Sequence, residues 1–186
     1  IKIRWIRRPT ARILPDMEWD LWLAFVGASI AISVSPGAGA IQSMATGLTH
    51  GLRRGYWSIT GLQIGLMMQL ALVAVGLGAA VAKSVVAFTV IKWIGVAYLI
   101  YLAVRQWRTA TGDLGEQLSA NVEGGRLALL VRGFLVNVTN PKGLVFLLAV
   151  VPQFVVPTAP LLPQYLAIGT TMVAVDVVVM GAYTGM

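Results

Sequence analysis

The chain has 186 residues, 58% of them hydrophobic and 11% charged, with a mean hydropathy of +0.80, a composition that excludes a soluble domain and makes this an integral membrane protein. With no cysteine and one histidine, it has no disulfide, no thiol redox chemistry and no Cys/His metal cluster. The formal net charge of +7 sits at the ends of apolar blocks, where it reports topology and not a nucleic-acid-binding stripe.

The apolar blocks run for roughly 20 to 25 residues and do not alternate over ten, so they predict α-helical spans instead of a barrel. Residues 1–16 carry Lys2, Arg4, Arg7, Arg8 and Arg12 without an apolar core of signal-peptide length. They are expected to be a disordered upstream extension, with Met17 opening a transmembrane domain over 17–186. The first span covers about 21–45, with Trp19 and Trp22 as interfacial anchors and Pro36 inside it. A basic loop with His50, Arg53 and Arg54 leads to a second span over 57–82. A short turn at Lys83 precedes a third over 85–104, closed by Arg105, Trp107 and Arg108. The stretch 109–125, with Asp113, Glu116 and Glu123, reads as a solvated loop. A fourth span, 127–151, runs through Pro141, and a fifth, 161–183, follows an uncharged connection holding Pro152, Pro157, Pro160 and Pro163.

Arg53, Arg54, Arg105, Arg108, Arg126 and Arg132 fall on one side of this arrangement, against Lys83 and Lys92 on the other. The positive-inside rule puts the arginine-rich loops in the cytoplasm and a chain starting at Met17 outside. Each half opens with a proline-broken span, and three spans in the first half force the second to enter from the opposite face. The pattern predicts an all-α polytopic bundle built as a 3+3 inverted repeat, with five of six spans present and the sixth expected beyond Met186.

Proline within a span removes a backbone bond and clashes with the preceding turn, which lipid tolerates only where protein or a polar cavity serves the freed groups. Pro36 and Pro141 are therefore expected to divide their spans into half-helices whose ends suit a carboxylate. Gly37 and Gly39 would admit a ligand close to the backbone, and Ser33, Ser35, Asn137, Thr139 and Asn140 add hydrogen-bonding groups nearby. Lys142 lies about ten residues from Arg132 and from Pro152, roughly 15 Å from either end of its span. An ammonium there costs about 3 kcal/mol to insert and needs a partner or water. Asp176, the one acid in its apolar run, is the candidate for binding an ammonium or carrying a proton; the competing reading is a static ion pair with Lys142. Gly61 and Gly65 form a small-xxx-small pair that reads as helix packing. Gln63 and Gln69, six apart, do not share a face cleanly, so one of them at most is expected to line the pathway, and Lys92 reads as a snorkelling anchor.

These residues carry a resemblance. Ser35-Pro36-Gly37-Ala38-Gly39-Ala40, His50-Gly51, Gly61-Leu62-Gln63-Ile64-Gly65, Lys92-Trp93, Asn137-Val138-Thr139-Asn140-Pro141-Lys142 and Val175-Asp176 together resemble the LysE/RhtB family of amino-acid exporters, most closely its homoserine and homoserine-lactone branch. Ala38 stands where that family often has a second proline. The resemblance implies inner-membrane export of a small amino acid or its lactone, driven by protons, through six helices in the complete protein. It implies a substrate site at Ser35, Pro36, Gly37, Gly39, Asn137, Asn140, Pro141 and Lys142, with Asp176 as the coupling group.

No catalytic serine–histidine pair, metal-ligand set or phosphate-cradling loop is present in the sequence, so neither an enzyme nor an ATP-driven pump is expected, and no cofactor. The expected partners are a small amino acid, protons and membrane lipid, with small-residue faces that allow a homodimer. The alternatives are an exporter of threonine, lysine, leucine or another amino acid, or a non-transporting membrane scaffold.

Overall fold

The computed structural model describes residues 12–14, 17–83, 124–156 and 159–186, together with Val90, Trp93, Ile94, Ala97, Ile100, Tyr101 and Val104, all seven helical and exposed. Most of the expected third span, Lys92, the loop with Asp113, Glu116 and Glu123, and residues 1–11 lie outside the described residues. A short antiparallel pair, β1 (Arg12–Leu14) and β2 (Met17–Glu18), leads into the helices. These are α1 (Trp19–Val34), α2 (Ala38–His50), α3 (Leu52–Lys83), α4 (Arg126–Val138), α5 (Pro141–Phe154) and α6 (Leu161–Gly185).

Both proline-bearing spans break where proline removes the backbone donor. α1 and α2 meet at 57° across residues 35–37, and α4 and α5 meet at 54° across Thr139 and Asn140. Each bent pair is long and apolar enough to be one span, and α3 and α6 qualify unbroken, giving up to four crossings among the described residues. Leu23, Leu72, Val75, Leu127, Leu162 and Val178 are all more than half exposed on the outer surface, the reverse of a soluble fold and the arrangement lipid requires.

α3 packs most extensively on α4, and glycine makes that approach possible. A Cβ at Gly61 would strike the Leu130 carbonyl, one at Gly65 would sit 2.9 Å from the Phe134 oxygen, and one at Gly133 would strike the Ser58 carbonyl. The Gly61 and Gly65 pair is thus used inside the chain. α6 packs on α1, α2 and α3 and closes the bundle. Buried Gln164 fastens its start: it accepts from Val156 N (2.7 Å) and donates to the carbonyls of Val156 and Pro160, serving backbone that the proline-rich connection leaves without helix partners.

Among the described residues the apolar interior has two main clusters, besides the pair Ala45 and Leu129. Phe25, Leu66, Leu70, Val73, Phe146, Leu147, Val151, Ile168 and Met172 form the larger cluster, and Ala40, Ile59, Leu62 and Met180 the smaller. The helix breaks lie between them.

Candidate functional site

Breaking a helix with proline leaves carbonyls without their usual donors, and the neighbouring helices supply replacements. In an unbroken helix the Asn137 carbonyl would accept from residue 141; Pro141 has no N–H, and the carbonyl accepts from Asn140 N at 2.9 Å and from a side chain of α3. Gln69, buried on α3, donates its amide to Asn137 O at 2.9 Å and reaches Val138 O and Asn140 O at 3.2 Å each. Asn140 meanwhile caps α5, its Oδ1 accepting from Lys142 N at 3.0 Å. At the other break, the Tyr183 hydroxyl donates to Val34 O at 2.7 Å, and the Lys142 ammonium donates to Ser35 O at 2.6 Å and Pro36 O at 3.5 Å. One cation from α5 therefore sits on the carbonyl end of α1, where the helix dipole favours positive charge, and joins the two breaks. Gly37 leaves room for it: a Cβ there would lie 3.4 Å from the Lys142 side chain.

Across from Lys142 stands Asp176 of α6. Its two carboxylate oxygens are held separately, Oδ1 by the Ser33 hydroxyl at 2.9 Å and Oδ2 by the Gln63 amide at 2.7 Å. Lys142 and Asp176 do not form a direct ion pair; each is bonded to polar groups on its own side. Between them lies a chamber whose walls include Ser33, Ser35, Gly37, Gly39, Asn137, Asn140, Lys142 and Asp176 with the apolar Ile32, Leu62, Leu66, Phe146, Met172 and Met180. The two prolines are exposed and do not line it. They make the breaks, and their neighbours face inward.

The ends of the half-helices differ. The α5 end is occupied by its own Asn140 cap, whereas Gly37, at the start of α2, provides no side-chain cap, and Gly37, Gly39 and Ala40 face the chamber. The chamber thus holds a cation, an anion and an uncapped helix start within one enclosure, the complement of a small zwitterion. Asn137 lines it too, with its amide nitrogen engaged on Leu62 O at 2.5 Å.

Sequence reading places at most one of Gln63 and Gln69 along the pathway, whereas neither lines the chamber, and it passes over Tyr183 and Ser29. Gln63 positions the acid, while Gln69 and Tyr183 serve carbonyls at the breaks. A signal for Gln69 existed: a lone amide in an apolar helix, in a chain whose Pro141 requires a donor from elsewhere.

The sequence matches the family model described as LysE type translocator over residues 30–184. It is 45% identical over 167 residues to a protein of Salmonella typhi named homoserine/homoserine lactone efflux protein, covering 90% of this chain and 80% of that one. It is 43% identical over 175 residues to a Vibrio cholerae membrane protein, covering 91% and 82% respectively. More distant, at 26% over 134 residues, is a leucine efflux protein of Klebsiella pneumoniae, with 72% and 63% covered. No solved structure matches.

Proposed function

Because this chain belongs to the LysE family of translocators, membrane transporters and not enzymes, we propose that it exports homoserine or homoserine lactone across the bacterial inner membrane. The observation that carries this reading is the meeting of both broken spans at Lys142, opposite Asp176, in one chamber. The carboxylate of homoserine, or the carbonyl of its lactone, lies against the uncapped start of α2 and Lys142, and the ammonium against Asp176. The small substrate class rests on the 45% identical relative; the leucine efflux proteins are much further away.

Export follows from alternating access. The two bent pairs, at 57° and 54°, are near equal in shape, which supports an inverted repeat whose halves rock about the fixed chamber. The larger apolar cluster lies on one side of the chamber and the smaller on the other, so repacking either one opens a path from that side. Asp176 is the coupling group: it holds the ammonium in one orientation and a proton in the other, so that the inward proton gradient drives the return. Arginines 53, 54 and 126 mark the cytoplasmic face and put Met17 outside.

Efflux from homoserine-loaded cells tests this. Lys142→Met and Asp176→Asn, at membrane levels equal to the parent chain, abolish homoserine efflux; retention of parental efflux by both variants would overturn the site. A panel with threonine, lysine and leucine ranks the substrates. An unchanged intracellular homoserine level on expression of the parent chain would overturn the export reading itself.

A further inference from the structure

The chamber is built in tiers. Ser33, Lys142 and Asp176 form a charged tier, with Gln63 behind Asp176. One turn further along each helix, at Ser29, Leu66, Phe146 and Met172, is a second tier. Three of those four side chains are apolar. The fourth is a hydroxyl: Ser29 is 1% exposed, and its Oγ has no hydrogen-bond partner.

That solitude is unusual in this chain. A helical hydroxyl ordinarily bonds the carbonyl four residues back, as Thr46, Thr49, Thr60, Thr139, Thr170 and Thr184 all do here. Ser58 accepts from Gln42, and Ser33 donates to Asp176. Ser43 Oγ is also buried and unbonded, but it does not line the chamber. Among the described residues only Ser29 joins an unbonded hydroxyl to the chamber wall, and a hydroxyl buried among apolar groups without a partner is destabilising.

We propose that Ser29 is a specificity residue that hydrogen-bonds a hydroxyl carried on the substrate's side chain. This rests on the exporter reading above. With the carboxylate and ammonium held in the charged tier, the side chain extends into the Ser29 tier. A two-carbon arm ending in a hydroxyl reaches further from Cα than serine's single carbon, toward a wall one helical turn away. The methylenes pack on Leu66, Phe146 and Met172, and the hydroxyl supplies the bond Ser29 lacks. An apolar side chain of the same shape enters the tier and leaves Ser29 unbonded. Discrimination therefore arises from the polar group stranded by the wrong substrate.

Counterflow with the full chain in proteoliposomes tests this, using homoserine and its deoxy analogue 2-aminobutyrate. The parent chain prefers homoserine. Ser29→Ala lowers that preference by about tenfold through loss of homoserine transport, holding 2-aminobutyrate within about twofold, which also reports that the variant is folded. Ser29→Cys, of nearly the same shape and a weaker donor, falls between. An unchanged preference in Ser29→Ala, an equal loss of both substrates, or a parent chain that does not distinguish them overturns the role of Ser29 and leaves the exporter reading standing. A parent chain that carries neither substrate overturns both.

Discussion

The Gln69 amide donates to the Asn137 carbonyl at 2.9 Å, at the place where Pro141 has no N–H to offer. Asn140 N reaches the same carbonyl at 2.9 Å, and a side chain from α3 fills its second acceptor position across spans. In lipid no water performs that service, so the broken helix and its donor form one unit. Gln69→Leu is expected to cost about 1–2 kcal/mol, read as a lower denaturant midpoint in detergent micelles. Pro141→Ala restores the missing N–H. In that background the cost of Gln69→Leu shrinks, and a double-mutant cycle showing no coupling would refute the pairing.

Close backbone approach between α3 and α4 yields a second expectation. Gly61→Ala drives a methyl into the Leu130 carbonyl, with backbone on both sides and no flexible side chain to give way. It is expected to destabilise by about 2 kcal/mol or more and to lower the yield of monodisperse protein. Gly27→Ala, on an exposed part of α1 with nothing within 4 Å of the added carbon, is expected to be neutral or slightly stabilising. Equal thermal stability of the two variants would contradict the packing described.

The anchoring of Asp176 gives a third. Ser33 and Gln63 each hold one of its carboxylate oxygens, so removal of either hydrogen bond makes the anion costlier to keep inside the membrane. Ser33→Ala and Gln63→Met are each expected to reduce homoserine transport about tenfold, from the loss of one charge-assisted bond. The loss should appear as a weaker apparent affinity with little change in membrane level. Parental transport kinetics in both variants would show that these contacts do not set the carboxylate's behaviour.

Much of this was legible in the sequence because proline, charge and span length are read locally. Pro36 and Pro141 located the breaks, and the cost of Lys142 and Asp176 in an apolar run located the polar interior. The partners were not legible, since they depend on how helices rotate against one another. Gln63 and Gln69 lie six apart and serve different groups, the acid and the break, which no periodicity within α3 announces. A static ion pair between Lys142 and Asp176 is the competing reading of two isolated charges. The fold instead satisfies each from its own side, Lys142 with α1 carbonyls and Asp176 with Ser33 and Gln63. Ser29 carried no signal at all: a serine in an apolar helix is unremarkable until its usual acceptor is seen to be unused.

The absence of cysteine makes the orientation directly testable. Leu162, 71% exposed near the start of α6, and Leu127, 73% exposed at the start of α4, lie at opposite ends of the bundle if each span crosses once. On the orientation proposed above, the arginines beside Leu127 put that end in the cytoplasm. In intact spheroplasts a membrane-impermeant maleimide is therefore expected to label Leu162→Cys rapidly and Leu127→Cys only after permeabilisation. Both positions are exposed and neither lines the chamber, so transport in these variants should persist and report a native fold. Labelling in the reverse order would invert the molecule. The inward face assigned to the arginines, and the placement of Met17 outside, would then be wrong.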